Sequence, residues 1–230
     1  KDFNIKDALI GISAIILYFL LSSIQSLPFD LAGISINYVS TWVKIMYLII
    51  YEIMMMGIIL LLFHKKIERD FKDILKNYKK YYSKCINYWL IGVLIMVISN
   101  IIIIFVLNNG VATNEQNVKE VLKISPLYIY LSSVIFAPIV EELVFRQGIR
   151  NIFGRNILFV LVSGFIFGSL HVFSNYTSYM DLIYLIPYSS VGLAFAYMLY
   201  KTDNIFSSMG FHFLHNGILM SLQIIVLIFS

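Results

Sequence analysis

The sequence predicts an all-α polytopic bundle of about seven membrane-spanning helices, and three observations carry that prediction. Sixty per cent of the 230 residues are apolar and 13% are charged, whereas a soluble domain carries about 25% charge. Apolar runs near 20 residues recur along the chain, the length at which a helix crosses about 30 Å of hydrocarbon. Turn-rich polar stretches such as Asn108-Asn-Gly110 and Ser174-Asn-Tyr-Thr-Ser178 punctuate those runs.

Taken in order, the predicted spans are 8–26, 41–63, 86–107, 127–151, 156–173, 180–200 and 204–229. The first, from Leu9 to Leu21 at its most apolar, resembles a secretory leader. It lacks a small-residue cleavage site and is followed by similar helices, so it reads as a span. Between the second and third spans, His64 to Lys84 hold eight Lys/Arg against three acids. Ile67, Phe71, Ile74, Leu75, Tyr78 and Tyr82 fall at helical spacing within that stretch. It reads either as a basic amphipathic helix on anionic headgroups or as a solvated connector. Residues 108–125 form the longest outer loop, with a short helix from Asn114 onward. No part is long enough to fold apart from the membrane, so 1–230 is expected to be one integral-membrane domain.

The net charge of +4 does not point to nucleic acid, because the excess sits in 64–84. Lys/Arg asymmetry sets orientation. With the amino terminus cytoplasmic, Lys1, Lys6, the basic residues of 64–84, Arg146, Arg150, Arg155 and Lys201 fall inside, leaving Lys44, Lys119 and Lys123. Seven spans then leave the carboxyl terminus outside. Cys85 is the single cysteine, so no intramolecular disulfide is possible.

Chemistry enters with Glu141-Glu142-Leu-Val-Phe-Arg146 in the fourth span. A carboxylate at membrane depth costs several kcal/mol, so an acid there marks a candidate functional site. Glu142 and Arg146 share a helical face and read as an ion pair. Glu141 is turned about 100° away and is left free as a general base. Pro138 kinks the helix one turn earlier. The fifth span carries Gly164-Phe-Ile-Phe167-Gly168-Ser-Leu-His171, with a small-xxx-small face for close helix approach and Phe167 walling His171. The last carries Gly210-Phe-His212-Phe-Leu-His215-Asn216, in which His212 and Asn216 share a face and His215 turns to another side. Counted from the inner helix ends, Glu141 lies roughly 15 Å deep, His171 roughly 22 Å and His212 roughly 12 Å. One intramembrane cavity opening toward the cytoplasm accommodates all three. Glu52, Lys44 and Asn100 read as polar glue between helices.

The three motifs, Glu-Glu-x-x-x-Arg, Phe-x-x-x-His and His-x-x-x-Asn in that order on membrane helices, resemble those of the CPBP family, the CAAX proteases and bacteriocin-processing enzymes also called Abi or type II CAAX proteases. The resemblance covers about 126–220. It makes that stretch the expected catalytic core and 1–125 the variable amino-terminal part. It implies an intramembrane endopeptidase in which Glu141 and His171 activate a water while His212 and Asn216 stabilise the oxyanion. Glu142, Arg146 and Phe167 would support the site. A zinc site with Glu141, His171 and His212 as ligands is the other mechanism the resemblance allows. No tighter zinc spacing such as His-Glu-x-x-His is present, so no cofactor is favoured. The implied partners are membrane lipid and a peptide or protein precursor: a bacteriocin-like, signalling or CAAX-type substrate. The family also contains binding scaffolds and immunity proteins, so a non-catalytic member is an alternative. A proton-coupled transporter is a further one, although the inverted repeats it would favour are not seen.

Overall fold

The computed structural model describes residues 4–35, 38–106, 110–174 and 176–229, and among them every regular element is helical. Lys1, Asn108, Asn109 and Asn175, which enter the charge tally and the two turns above, lie outside the described residues. The main helices are α1 (Ile5–Ser23), α2 (Thr41–Leu62), α3 (His64–Ile101), α4 (Thr113–Ile124), α5 (Pro126–Phe153), α6 (Ile157–Phe173), α7 (Leu185–Thr202) and α8 (Ile205–Phe229). Six of them are long and apolar enough to cross a membrane, α3 and α7 counting with their extensions Ile102–Phe105 and Tyr179–Tyr184. The seventh expected span is α6, an apolar helix of 17 residues. At 1.5 Å per residue it reaches about 26 Å, just short of a full hydrocarbon core.

Side-chain caps start several of these helices. Asn4 accepts from the Lys6 amide, Asn156 from the Phe159 amide, and Ser178 with Asp181 forms a capping box before Tyr179–Tyr184. α6 and α7 make the most extensive packing in the bundle. A Cβ on Gly168 would stand 2.1 Å from Ser189 Oγ and 2.8 Å from its backbone nitrogen. Only glycine lets the two backbones meet there, as the small-residue face anticipates. α1 lies along the second half of α5, while α3 crosses both α7 and α8. Glu52 on α2 accepts from Tyr128 and Ser132 hydroxyls of α5 at 3.1 and 2.7 Å, the interhelical role expected of it.

The basic stretch is helical and continuous with the span that follows it. It is the first half of α3, a single unbroken helix of 38 residues that runs on into the third span. Its inward face docks on the α7–α8 junction. Asp70 is buried, and its Oδ2 accepts the Ile205 amide at 2.8 Å. That satisfies one of the four orphan donors at the start of α8. Asn204 donates to Asp73 Oδ2 and to the Asp70 carbonyl, each at 2.8 Å. Asp203 closes α7 in the left-handed region (φ 57°) and pairs with Arg150. The acids at 70 and 73 supply the docked face, while Phe71, Leu75 and Tyr78 stay exposed. Arg146, grouped above with the inner charges, is wholly buried within the bundle.

Candidate active site

α5 is irregular where the site is built. Ser132–Phe136 and Glu142–Gly148 are both π-helical, a local form that recurs at functional sites. Pro138 has no N–H to donate, and in π register its partner would be the carbonyl five residues earlier, that of Ser133. Asn216 of α8 takes that place, its Nδ2 donating to Ser133 O at 2.7 Å. The expected oxyanion donor therefore spends one of its two amide hydrogens joining α8 to α5 and retains the other.

Glu142 is completely buried, and its Oε1 holds two partners at once. Arg146 Nε stands 3.3 Å away and His212 Nδ1 3.0 Å away. The first contact was anticipated; the second was not, because it depends on how α5 and α8 are rotated against each other. The Arg146 guanidinium lies 4.0 Å from the Phe167 ring centre and 5.7 Å from that of Phe195, so aromatic faces supply much of its surroundings. Phe167 thus supports the arginine as well as the histidine.

With Nδ1 turned to Glu142, His212 presents Nε2 toward Glu141, whose Oε2 is 3.8 Å distant. The His212 ring stacks on Phe195 at 4.7 Å between centres. His171 has the complementary orientation. Its Nδ1 is 3.0 Å from the Phe167 carbonyl, and a carbonyl only accepts, so Nδ1 carries the hydrogen and Nε2 keeps a lone pair. Tyr188 stacks on the ring at 4.9 Å. Phe167 touches both imidazoles, 4.4 Å from His171 and 5.8 Å from His212 between ring centres.

Glu141, Phe167, His171, His212 and Asn216 all line one cavity of about 350 Å³. Its wall continues along α8 through Leu219 to Gln223 and across to Ala112, Asn114, Glu115 and Val118. The cavity therefore extends toward the end of the bundle carrying α4, opposite the basic stretch, and not toward the basic end as the depth argument supposed. Helix depth places residues along the normal but does not say which neighbours leave space between them. Two further readings are corrected by the same lining. Asn100 faces the cavity instead of gluing two helices, and His215 shares it despite lying a helical step away from the His212–Asn216 face.

The zinc set of Glu141, His171 and His212 does not fit a metal as these side chains stand. Among the described residues no three His, Cys, Asp or Glu side chains are gathered closely enough to hold one.

Residues 123–218 match the family described as type II CAAX prenyl endopeptidase Rce1-like. The chain is also similar to "Putative membrane peptidase YdiL" of Bacillus subtilis (strain 168), 32% identical over 117 residues. That alignment covers 48% of this chain and 43% of the relative, so the chain spans less than half the length of the curated protein it matches. No solved structure matches.

Proposed function

We propose that this chain, a member of the type II CAAX protease (CPBP) family through residues 123–218, hydrolyses a peptide bond in a membrane-associated precursor. One observation carries the reading: Glu141, His171, His212 and Asn216 line a single cavity inside a membrane-type bundle. A water held between Glu141 and the His171 Nε2 lone pair loses its proton to Glu141 as its oxygen attacks the scissile carbonyl. In this reading the developing oxyanion accepts from Nε2–H of a doubly protonated His212, whose Nδ1–H stays on the Glu142 carboxylate, and from the second amide hydrogen of Asn216. Glu141 then returns the proton to the leaving amine. No step in this reading calls on a metal.

The test is cleavage of a panel of membrane-anchored bacteriocin-like, signalling and CAAX-type peptides by the purified chain, with His171→Ala beside it. Wild type should release defined products that His171→Ala does not, and chelators should leave the rate unchanged. His212→Ala should cost on the order of 100- to 1,000-fold as a lost oxyanion donor. Reversible inactivation by chelation, restored by stoichiometric zinc, would replace the metal-free mechanism. Absence of cleavage across the panel would favour the non-catalytic scaffold.

The charge asymmetry further supports a cytoplasmic amino terminus and a cytoplasmic basic end of α3. In a Cys85→Ser background, a cysteine at exposed Ser83 should react with an impermeant maleimide only from the cytoplasmic side. One at Tyr179, 85% exposed, should react only from outside. The reverse pattern overturns the orientation.

A further inference from the structure

The far end of the cavity is built only of acceptors and neutral groups. Glu115 on α4 and Glu141 at the opposite end are the acids in its lining, and among the described residues no Lys or Arg lines it. Gln223 Oε1 lies buried in the same wall without a hydrogen-bond partner. A donor from a ligand bound there would satisfy it. The wall is not a loose loop, because Leu122 and Val118 of α4 pack on Met220 and Ile224 of α8 and fix Glu115 against Gln223's helix. The protein partner of Glu115 is Lys119, one turn away at 2.9 Å, with both side chains more than two-fifths exposed. Such an exposed pair is weak and yields readily to a better-placed cation.

Resting on the peptidase reading, we propose that Glu115 with Gln223 forms a specificity subsite for a basic side chain of the substrate. A lysine ammonium or arginine guanidinium would donate to the Glu115 carboxylate and the Gln223 amide oxygen. The eleven-residue step from His212 to Gln223 on α8 spans about 16 Å, which an extended peptide covers in about five residues. The basic residue therefore lies within about five positions of the cleaved bond. The substrate class is a membrane-associated peptide with a cationic residue at that distance, bound in extended form toward α4.

The experiment uses the full chain in liposomes and membrane-anchored reporter peptides identical except at one position. That position is scanned across five residues on each side of the cleaved bond, carrying Lys, Gln or Glu. At one position Lys should exceed Gln by about tenfold in kcat/KM, a difference of 1.4 kcal/mol. Glu115→Gln should erase that preference, and Glu115→Lys should reverse it toward the Glu peptide. Lys119→Gln, which frees Glu115, should keep or increase it. A Lys preference that survives Glu115→Gln, or no preference at any position, overturns the subsite. If wild type cleaves no peptide, the peptidase reading falls separately. Binding of the same peptides to Glu141→Gln protein then still decides whether Glu115 selects a cation.

Discussion

Glu141→Gln should give a folded protein whose turnover is lower by about 10²- to 10⁴-fold, the range that a positioned general base contributes. The substitution keeps the shape of the side chain and removes its ability to take a proton. Folding should survive, because the His212 Nε2 that faces Glu141 stands 3.8 Å away, beyond hydrogen-bond reach. The side chain also retains 19% exposure to the cavity, where a neutral amide meets no new desolvation. Glu142→Gln makes the informative contrast. Its carboxylate faces both Arg146 and His212 Nδ1, so that change should lower thermal stability along with rate. Initial rates on a cleaved peptide, measured beside melting in detergent, separate the two outcomes. Near-normal cleavage by Glu141→Gln would remove Glu141 from the mechanism and leave His171 as the sole water-activating group.

The contrast between those adjacent acids shows how far the sequence could be read. Helical geometry alone separates Glu141 from Glu142 by about 100°, and that was enough to pair Glu142 with Arg146 and turn Glu141 to another side. The same local geometry placed Phe167 beside His171 and gave Gly168 its close approach to Ser189. What local periodicity does not contain is the rotation of one helix against another seventy residues away. The Glu142–His212 bond depends on that phase, and so do the entry of Asn100 and His215 into the cavity and the direction in which it extends. Two hidden contacts did leave signals. Pro138 announces an unpaired carbonyl on its own helix, and the Asn216 amide is a donor in search of one. Asp70 and Asp73, acids in a basic stretch, mark the face that docks on the start of α8. Both signals become legible only when a buried backbone group is required to have a partner.

Arg146→Ala should destabilise the fold by about 3–5 kcal/mol, the cost of removing one member of a buried ion pair and leaving the other charge in place. Glu142 has no exposed surface through which water might substitute for the lost cation. The truncation also strips a guanidinium from the Phe167 face, 4.0 Å away, and empties the volume of a fully buried arginine. Arg146→Lys should recover little, since a compact ammonium does not replace a guanidinium that lies 4.0 Å from the Phe167 ring centre. A partner change distinguishes charge from packing. In the Arg146→Ala background, Glu142→Gln removes the orphaned carboxylate and should restore part of the stability, so the double variant should melt above the single one. If it melts below by the sum of both losses, the two residues act independently and the pair is not what holds α5 together. Wild-type melting and membrane abundance for Arg146→Ala would show that the guanidinium is not structural, and would return it to the site as a substrate-binding cation behind Phe167.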